Sequence, residues 1–153
     1  MNIFILAGEP SGDEYGAKLM QELTSINSNI SFSGIGGSLM EKQGLKSIAP
    51  FNQMSVMGFF EIIKTLPFFL KLEKNILKFL NDQKPEKVIL IDYPGLNLRL
   101  APKIKSSIDT KIFYYISPQI WAWKEKRIEI IKNYIDKMIV IFEFEKIWYH
   151  KRG

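Results

Sequence analysis

Three carboxylates crowd into six positions near the start of the chain: Glu9, Asp13 and Glu14, in Ala7-Gly8-Glu9-Pro10-Ser11-Gly12-Asp13-Glu14. They follow an apolar run from Ile3 to Leu6. A glycine turn after a first strand commonly cradles phosphate. Neither G-x-x-x-x-G-K-[ST] nor G-x-G-x-x-G is present at this turn, however. Acids at a helix N-terminus also occupy the place where a phosphate needs bare amides. Carboxylates accept strong, charge-assisted bonds from sugar hydroxyls, so the turn suits a neutral, hydroxyl-rich ligand. A structural reading competes. Ser11 and Glu14 match a capping box, and Asp13 and Glu14 lie at the positive end of a helix dipole. It leaves Glu9 and Gly12 unexplained.

A second acid, Asp92, ends the run Lys87-Val88-Ile89-Leu90-Ile91 and is followed by Tyr93-Pro94-Gly95-Leu96-Asn97. Asn97 immediately precedes a predicted helix and suits its cap, which frees Asp92 to act as a general base toward a hydroxyl. Gly34-Ile35-Gly36-Gly37 serves either a tight strand–helix turn or close backbone approach to a ligand. In Tyr114-Tyr115-Ile116-Ser117-Pro118-Gln119-Ile120-Trp121-Ala122-Trp123, tryptophans two residues apart cannot share one helix face, so one of them must line a surface or cleft. His150 is the single histidine. With no partner cluster, it supports neither a metal site nor a nucleophilic triad.

Strands and helices must alternate to present these residues. Apolar runs predict strands at 1–7, 30–34, 87–92, 111–116 and 136–142. Helical spacing predicts helices at 11–24, 38–43, 58–80 with a break or bend at Pro67, 98–106 and 124–134, and a further one from 143. Residues 48–57 read as irregular. The strands are continuous apolar runs, as expected when both faces are covered. The fold class is therefore α/β: an open, mostly parallel Rossmann-like sheet with helices on both faces. Ligands bind such sheets beyond the carboxyl ends of the strands. That rule selects 8–13, 34–37, 92–97 and 117–123.

The 153 residues suit one domain, and 46% hydrophobic content supports a sizeable core. No cysteine is present, which excludes disulfides and cysteine-ligated metals. No basic n-region precedes the first apolar run, and no apolar run reaches the roughly 18 residues of a spanning helix. The net charge of +5 favours anionic partners. No nucleic-acid motif accompanies it, so nucleic acid is not expected as a partner. Instead Lys64, Lys71 and Lys78 recur every seven residues, with Lys74 nearby, beside Phe59, Phe60, Phe68 and Phe69. This pattern fits either a helix covering the sheet or a basic, phenylalanine-rich helix lying in an anionic membrane interface.

The blocks AGEPSGDEYGAKL, FSGIGG, MSVMGFFEI, LIDYPGLNLRLA and YYISPQIWAWKEKR together resemble the lipid-A-disaccharide synthase family, in that family's order and over nearly the whole chain. The resemblance implies the amino-terminal domain of a B-type glycosyltransferase, acceptor-side and membrane-facing, over residues 1–153. The carboxy-terminal domain holding most of the UDP-sugar site would then be missing or supplied by a complementing chain. It also implies an inverting transfer from UDP-2,3-diacylglucosamine to 2,3-diacylglucosamine 1-phosphate, with UDP-sugar as substrate and neither cofactor nor metal. The expected partners are diacylglucosamine lipids and the anionic inner-membrane surface, with the chain peripheral on its cytoplasmic face. By residue, it makes Asp92 the base. Glu9, Ser11, Gly12, Asp13, Gly36, Gly37 and Asn97 become substrate contacts. The segment from Met54 to about Leu80, with the phenylalanines and lysines named above, becomes the membrane grip. The chain departs from the family's pattern at Gly95, where many members carry a second aspartate, so no carboxylate pair is inferred. A non-catalytic, peripheral membrane-binding module is the alternative reading.

Overall fold

The computed structural model describes residues 1–55, 62–123 and 125–153. Six parallel strands form one open sheet: β1 (Asn2–Ala7), β2 (Ser31–Ile35), β3 (Leu45–Ser47), β4 (Lys87–Ile91), β5 (Lys111–Tyr115) and β6 (Lys137–Ile139). Their order is β3-β2-β1-β4-β5-β6. The chain winds outward from β1 to β3, then returns to place β4 on the other side of β1. The direction of winding therefore reverses between β1 and β4, where Ala7 pairs with Ile91. In an open α/β sheet this is the ligand crevice.

The central strands are buried on both faces because their side chains alternate between two cores. Phe4, Leu6, Val88 and Leu90 join one, under α4 (Ile62–Gln83) and α5 (Pro94–Ser107) and with Ile131 of α7 (Ile128–Tyr134). Ile3, Ile5, Ala7, Ile89 and Ile91 join the other, under α1 (Pro10–Ile26) and α2 (Ser38–Lys42). Leu72, Ile76 and Leu80 form the buried edge of α4. Each such side chain contributes roughly 2 kcal/mol. Glu73 on the same edge is 2% exposed and faces Arg99 of α5 at 2.7 Å and Lys103, which stitches the two helices together. Arg99 approaches it as an ion pair off the hydrogen-bonding direction. At the outer edge Asp136 binds Lys105, Lys111 and the Ile112 amide. Burial opposes its charge, but those donors hold its carboxyl at about 2.

Four expectations about elements change. Residues 48–57 are not all irregular: α3 (Phe51–Ser55) occupies part of them, and the unexpected β3 ends just before. The strand at 136–142 shortens to Lys137–Ile139. The helix expected from Leu98 starts at Pro94, so Asn97 lies within its first turns and cannot cap it. Pro67 does not break α4, which runs through it. Pro67 is exposed, so water can take the carbonyl whose amide partner proline lacks. Among the described residues, no helix is long and apolar enough to cross a membrane.

Candidate functional site

Because β1 and β4 are in register, Gly8-Glu9 and Asp92-Tyr93 leave the sheet side by side. Gly8 allows this closeness: a Cβ there would fall 2.5 Å from the Tyr93 ring. Asp92 and Tyr93 both take left-handed backbone conformations, with φ of 43° and 46°. Ile116, at the end of β5, does so at 68°, a strained value for a β-branched residue. Strain of this kind persists only where neighbours over-determine it. The Asp92 amide donates to the Tyr115 carbonyl at 3.0 Å. Its own carbonyl accepts from the Tyr114 hydroxyl and from Asn97 Nδ2 at 2.7 Å. Asn97 Nδ2 also reaches the Ile91 carbonyl at 3.2 Å.

The Asp92 side chain lies on the rim of a cavity of about 350 Å³ over the carboxyl ends of β4, β5 and β6. Ser117, Arg127, Phe142 and Glu145 are among its walls. Burial, and then the charge of Glu9, raise the Asp92 carboxyl above its ordinary range, against a hydrogen bond from the Tyr93 amide. Burial and Glu9 raise the Tyr93 phenol as well. A larger cavity, about 400 Å³, opens beside β6 between Lys132, Lys137 and His150. It lacks Asp92 and the strained strand ends, so we place the candidate site at the smaller one.

Glu9 and Ser11 are exposed at the crevice mouth. The other expected substrate contacts are internal. Asp13 is 5% exposed, and its carboxylate accepts the amides of Gly37 (2.8 Å), Leu39 (3.2 Å) and Met40 (3.0 Å). It caps α2 from across the fold. Gly37 is glycine because Asp13 and Phe51 leave no room for a Cβ, and Gly36 because Met40 and Leu45 do the same. Gly12 packs on Ala7. Asn97 is fully buried under Asp92, which makes it a positioning residue. The capping box is corrected too. Ser11 lies inside α1, Glu9 is the N-cap residue without a side-chain bond, and Glu14 pairs with Lys18 at 2.7 Å.

The expected membrane grip divides. Phe59, Phe60 and the Lys64 side chain lie outside the described residues. Phe68 and Phe69 are half-buried and pack against the core, Phe69 beside Tyr93 with centroids 6.5 Å apart. Lys71, Lys74 and Lys78 are exposed. The apolar residues that α4 exposes are Leu66 at 47% and Leu70 at 50%. On α4, helical position leaves Leu66 and Leu70 more exposed than Phe68 and Phe69.

Sequence reasoning missed three participants. Tyr114 read as core, and it is, yet its hydroxyl fixes Asp92. Glu145 is 2% exposed in α8 (Glu143–His150) and gathers Ser117, Trp121 and two amides. Arg127 is half-buried in the cavity wall. An acid three residues after an N-cap position was the one available signal for Glu145. Trp121 meets the expectation of a surface tryptophan at 38% exposure. The Trp123 side chain lies outside the described residues.

The chain matches known proteins over nearly its whole length. The Lipid-A-disaccharide synthetase family profile matches residues 3–153. The chain is similar to Lipid-A-disaccharide synthase 1 of Legionella pneumophila (strain Paris), with 48% identity over 151 residues, covering 99% of this chain and 39% of that protein. The Lipid-A-disaccharide synthase of Acidobacterium capsulatum is 40% identical over 156 residues, covering 99% and 38%. That of Coxiella burnetii (strain Dugway 5J108-111) is 38% identical over 152 residues, covering 99% and 40%. The chain thus spans about two fifths of the length of the curated relatives it matches.

Proposed function

This chain belongs to the lipid-A-disaccharide synthetase family, and from that premise we propose that it forms the acceptor side of a glycosyltransferase making the lipid A disaccharide. The donor is UDP-2,3-diacylglucosamine and the acceptor 2,3-diacylglucosamine 1-phosphate. Asp92 is the general base. Its carboxylate takes the proton of the acceptor's 6-hydroxyl as that oxygen bonds to the donor's anomeric carbon. The bond from that carbon to UDP breaks, UDP leaves, and the configuration inverts. UDP-sugar enters as substrate rather than as cofactor. Glu9 and Ser11 sit where sugar hydroxyls would meet them.

The observation that carries this reading is the locked, left-handed Asp92 at the reversal of the sheet, its carboxyl raised by burial and by Glu9. A base with a raised pKa holds a proton more strongly, which favours abstraction from a hydroxyl. The test is a chimera in which these residues replace the matching segment of the Legionella relative. Disaccharide formation should fall by about two orders of magnitude or more on Asp92→Asn. Unchanged turnover would remove Asp92 from the chemistry.

A second reading, a peripheral membrane-binding module without catalysis, is favoured by Leu66 and Leu70 beside Lys71, Lys74 and Lys78. The two readings are compatible if α4 holds the enzyme on the cytoplasmic face of the inner membrane, where lipid substrates reside. A chimera that binds vesicles but yields no disaccharide would leave only the second.

A further inference from the structure

We propose that Trp121, Phe142 and Phe144, with Ile141 and Ile147, form a seat for one acyl chain of the sugar lipid whose hydroxyl lies at Asp92. This rests on the glycosyltransferase reading above. Isolated surface hydrophobics are ordinary, but clustered ones mark binding surfaces. Here Trp121 is 38% exposed, Ile141, Phe142 and Ile147 each 52%, and Phe144 48%. Their rings form a continuous layer. Trp121 meets Phe144 edge-on at 5.1 Å, and Phe142 stacks on Phe144 at 5.7 Å with 17° between planes. Ile147 follows Phe144 by three positions on α8, hence on the same side of the helix.

Two features identify the occupant as hydrocarbon attached to the substrate. Ile141 and Phe142 line the Asp92 cavity as well as the layer, so a chain leaving a sugar in that cavity passes directly onto the rings. On α8 the charges that flank the rings, Glu143 and Lys146, pair with each other at 3.4 Å. A methylene chain finds aromatic faces there.

The seat is preorganised. The Glu145 carboxylate accepts Ser117 Oγ at 2.7 Å, Trp121 Nε1 at 3.4 Å, and the amides of Ile141 and Phe142 at 3.3 and 3.2 Å. One buried side chain thus fixes the segment after β5 to the segment after β6, on both of which the rings stand. A surface held in its binding shape loses little entropy when it is occupied.

The test uses this chain and 2-N-(bromodecanoyl)glucosamine, whose bromine quenches tryptophan on contact, with glucosamine as control. We expect saturable quenching by the acylated sugar and none by glucosamine. Phe144→Ser with Ile147→Ser should weaken binding about tenfold, and Leu66→Ser with Leu70→Ser should leave it unchanged. All four positions are exposed, so folding should survive; Ile147→Asn alone is the fallback if the double variant unfolds. Binding unaffected by either Ile147 variant, or abolished by the α4 pair, overturns the proposal. So does light scattering that finds a dimer dissolved by Phe144→Ser with acyl binding intact, since the layer would then seat a second copy. Disaccharide formation by the Asp92→Asn chimera tests the glycosyltransferase reading separately. A failed seat with an essential Asp92 therefore leaves the glycosyltransferase reading standing.

Discussion

The molecule carries two greasy surfaces, and they are built differently. On α4, Leu66 and Leu70 are aliphatic and flanked by Lys71, Lys74 and Lys78, none of which pairs with a carboxylate among the described residues. Beyond α5, Trp121, Phe142 and Phe144 are aromatic and in ring contact, and one buried carboxylate holds Trp121 and the Phe142 amide. Flexible lysines around aliphatic side chains adapt to a fluid, anionic surface. Interlocked rings beside a cavity suit a single molecule in one pose. The difference teaches that exposed apolar area does not define a partner. Charge and rigidity around it do.

The sharpest way to separate the two surfaces is by charge. Replacing Lys71, Lys74 and Lys78 with Gln should weaken binding to vesicles containing phosphatidylglycerol by about 100-fold, at roughly 1 kcal/mol per lysine near an anionic surface. High salt should erase most of that difference. The substitutions should leave acylated-sugar quenching where it was. Equal loss in both assays would mean that the surfaces act as one.

Rigidity gives the next largest effect. Glu145→Ala removes the acceptor for an indole, a hydroxyl and two amides, some of which stay buried. A cost of about 2–3 kcal/mol is expected, read as a lower denaturant midpoint. Acylated-sugar binding should weaken in the same variant above its folding threshold. A variant as stable as the parent would show that water replaces Glu145, and the contrast in rigidity would fail.

The sequence disclosed the sheet better than the site, for a physical reason. A strand buried on both faces must be an apolar run, so Lys87–Ile91 announces itself, whereas Leu45–Ser47 has three residues and one buried side chain. Asp92 was legible because it ends a central strand, and the carboxyl ends of such strands are where ligands go. Its supports were harder to see. Asp13 read as a dipole partner of its own helix, but its donors stand 24 to 27 positions away on α2. Glu145 and Ser117 are 28 apart. A glycine motif points to close approach without saying what approaches. At Gly37 it is Asp13, and at Gly8 it is Tyr93. Pattern reports which face is buried, while long-range hydrogen bonds depend on a finished topology.

The smallest expected effect isolates the cavity that the acyl seat adjoins, and α4 should have no part in it. Asp92 binds its proton more tightly in the folded chain than in the unfolded one, because burial and Glu9 disfavour the charge. The stability this confers is fully present below the unfolded carboxyl pKa of about 3.9. It is lost as pH rises through the raised folded value. Asn mimics the neutral acid and also accepts the left-handed backbone at this position. Asp92→Asn should therefore match the parent in acid and exceed it at neutral pH, by no more than about 1 kcal/mol. Catalysis has the opposite need, since the base must be ionised. In the chimera, turnover should climb over the same pH interval in which the parent's stability falls behind that of the Asn variant. Measured together, the stability difference should level off at the pH where the rate profile turns on, above the ordinary carboxylate value. If the rate profile turns on in the ordinary range while the stability difference does not level off there, another group is the base, and the carboxyl at the reversal of the sheet is only a strained neighbour.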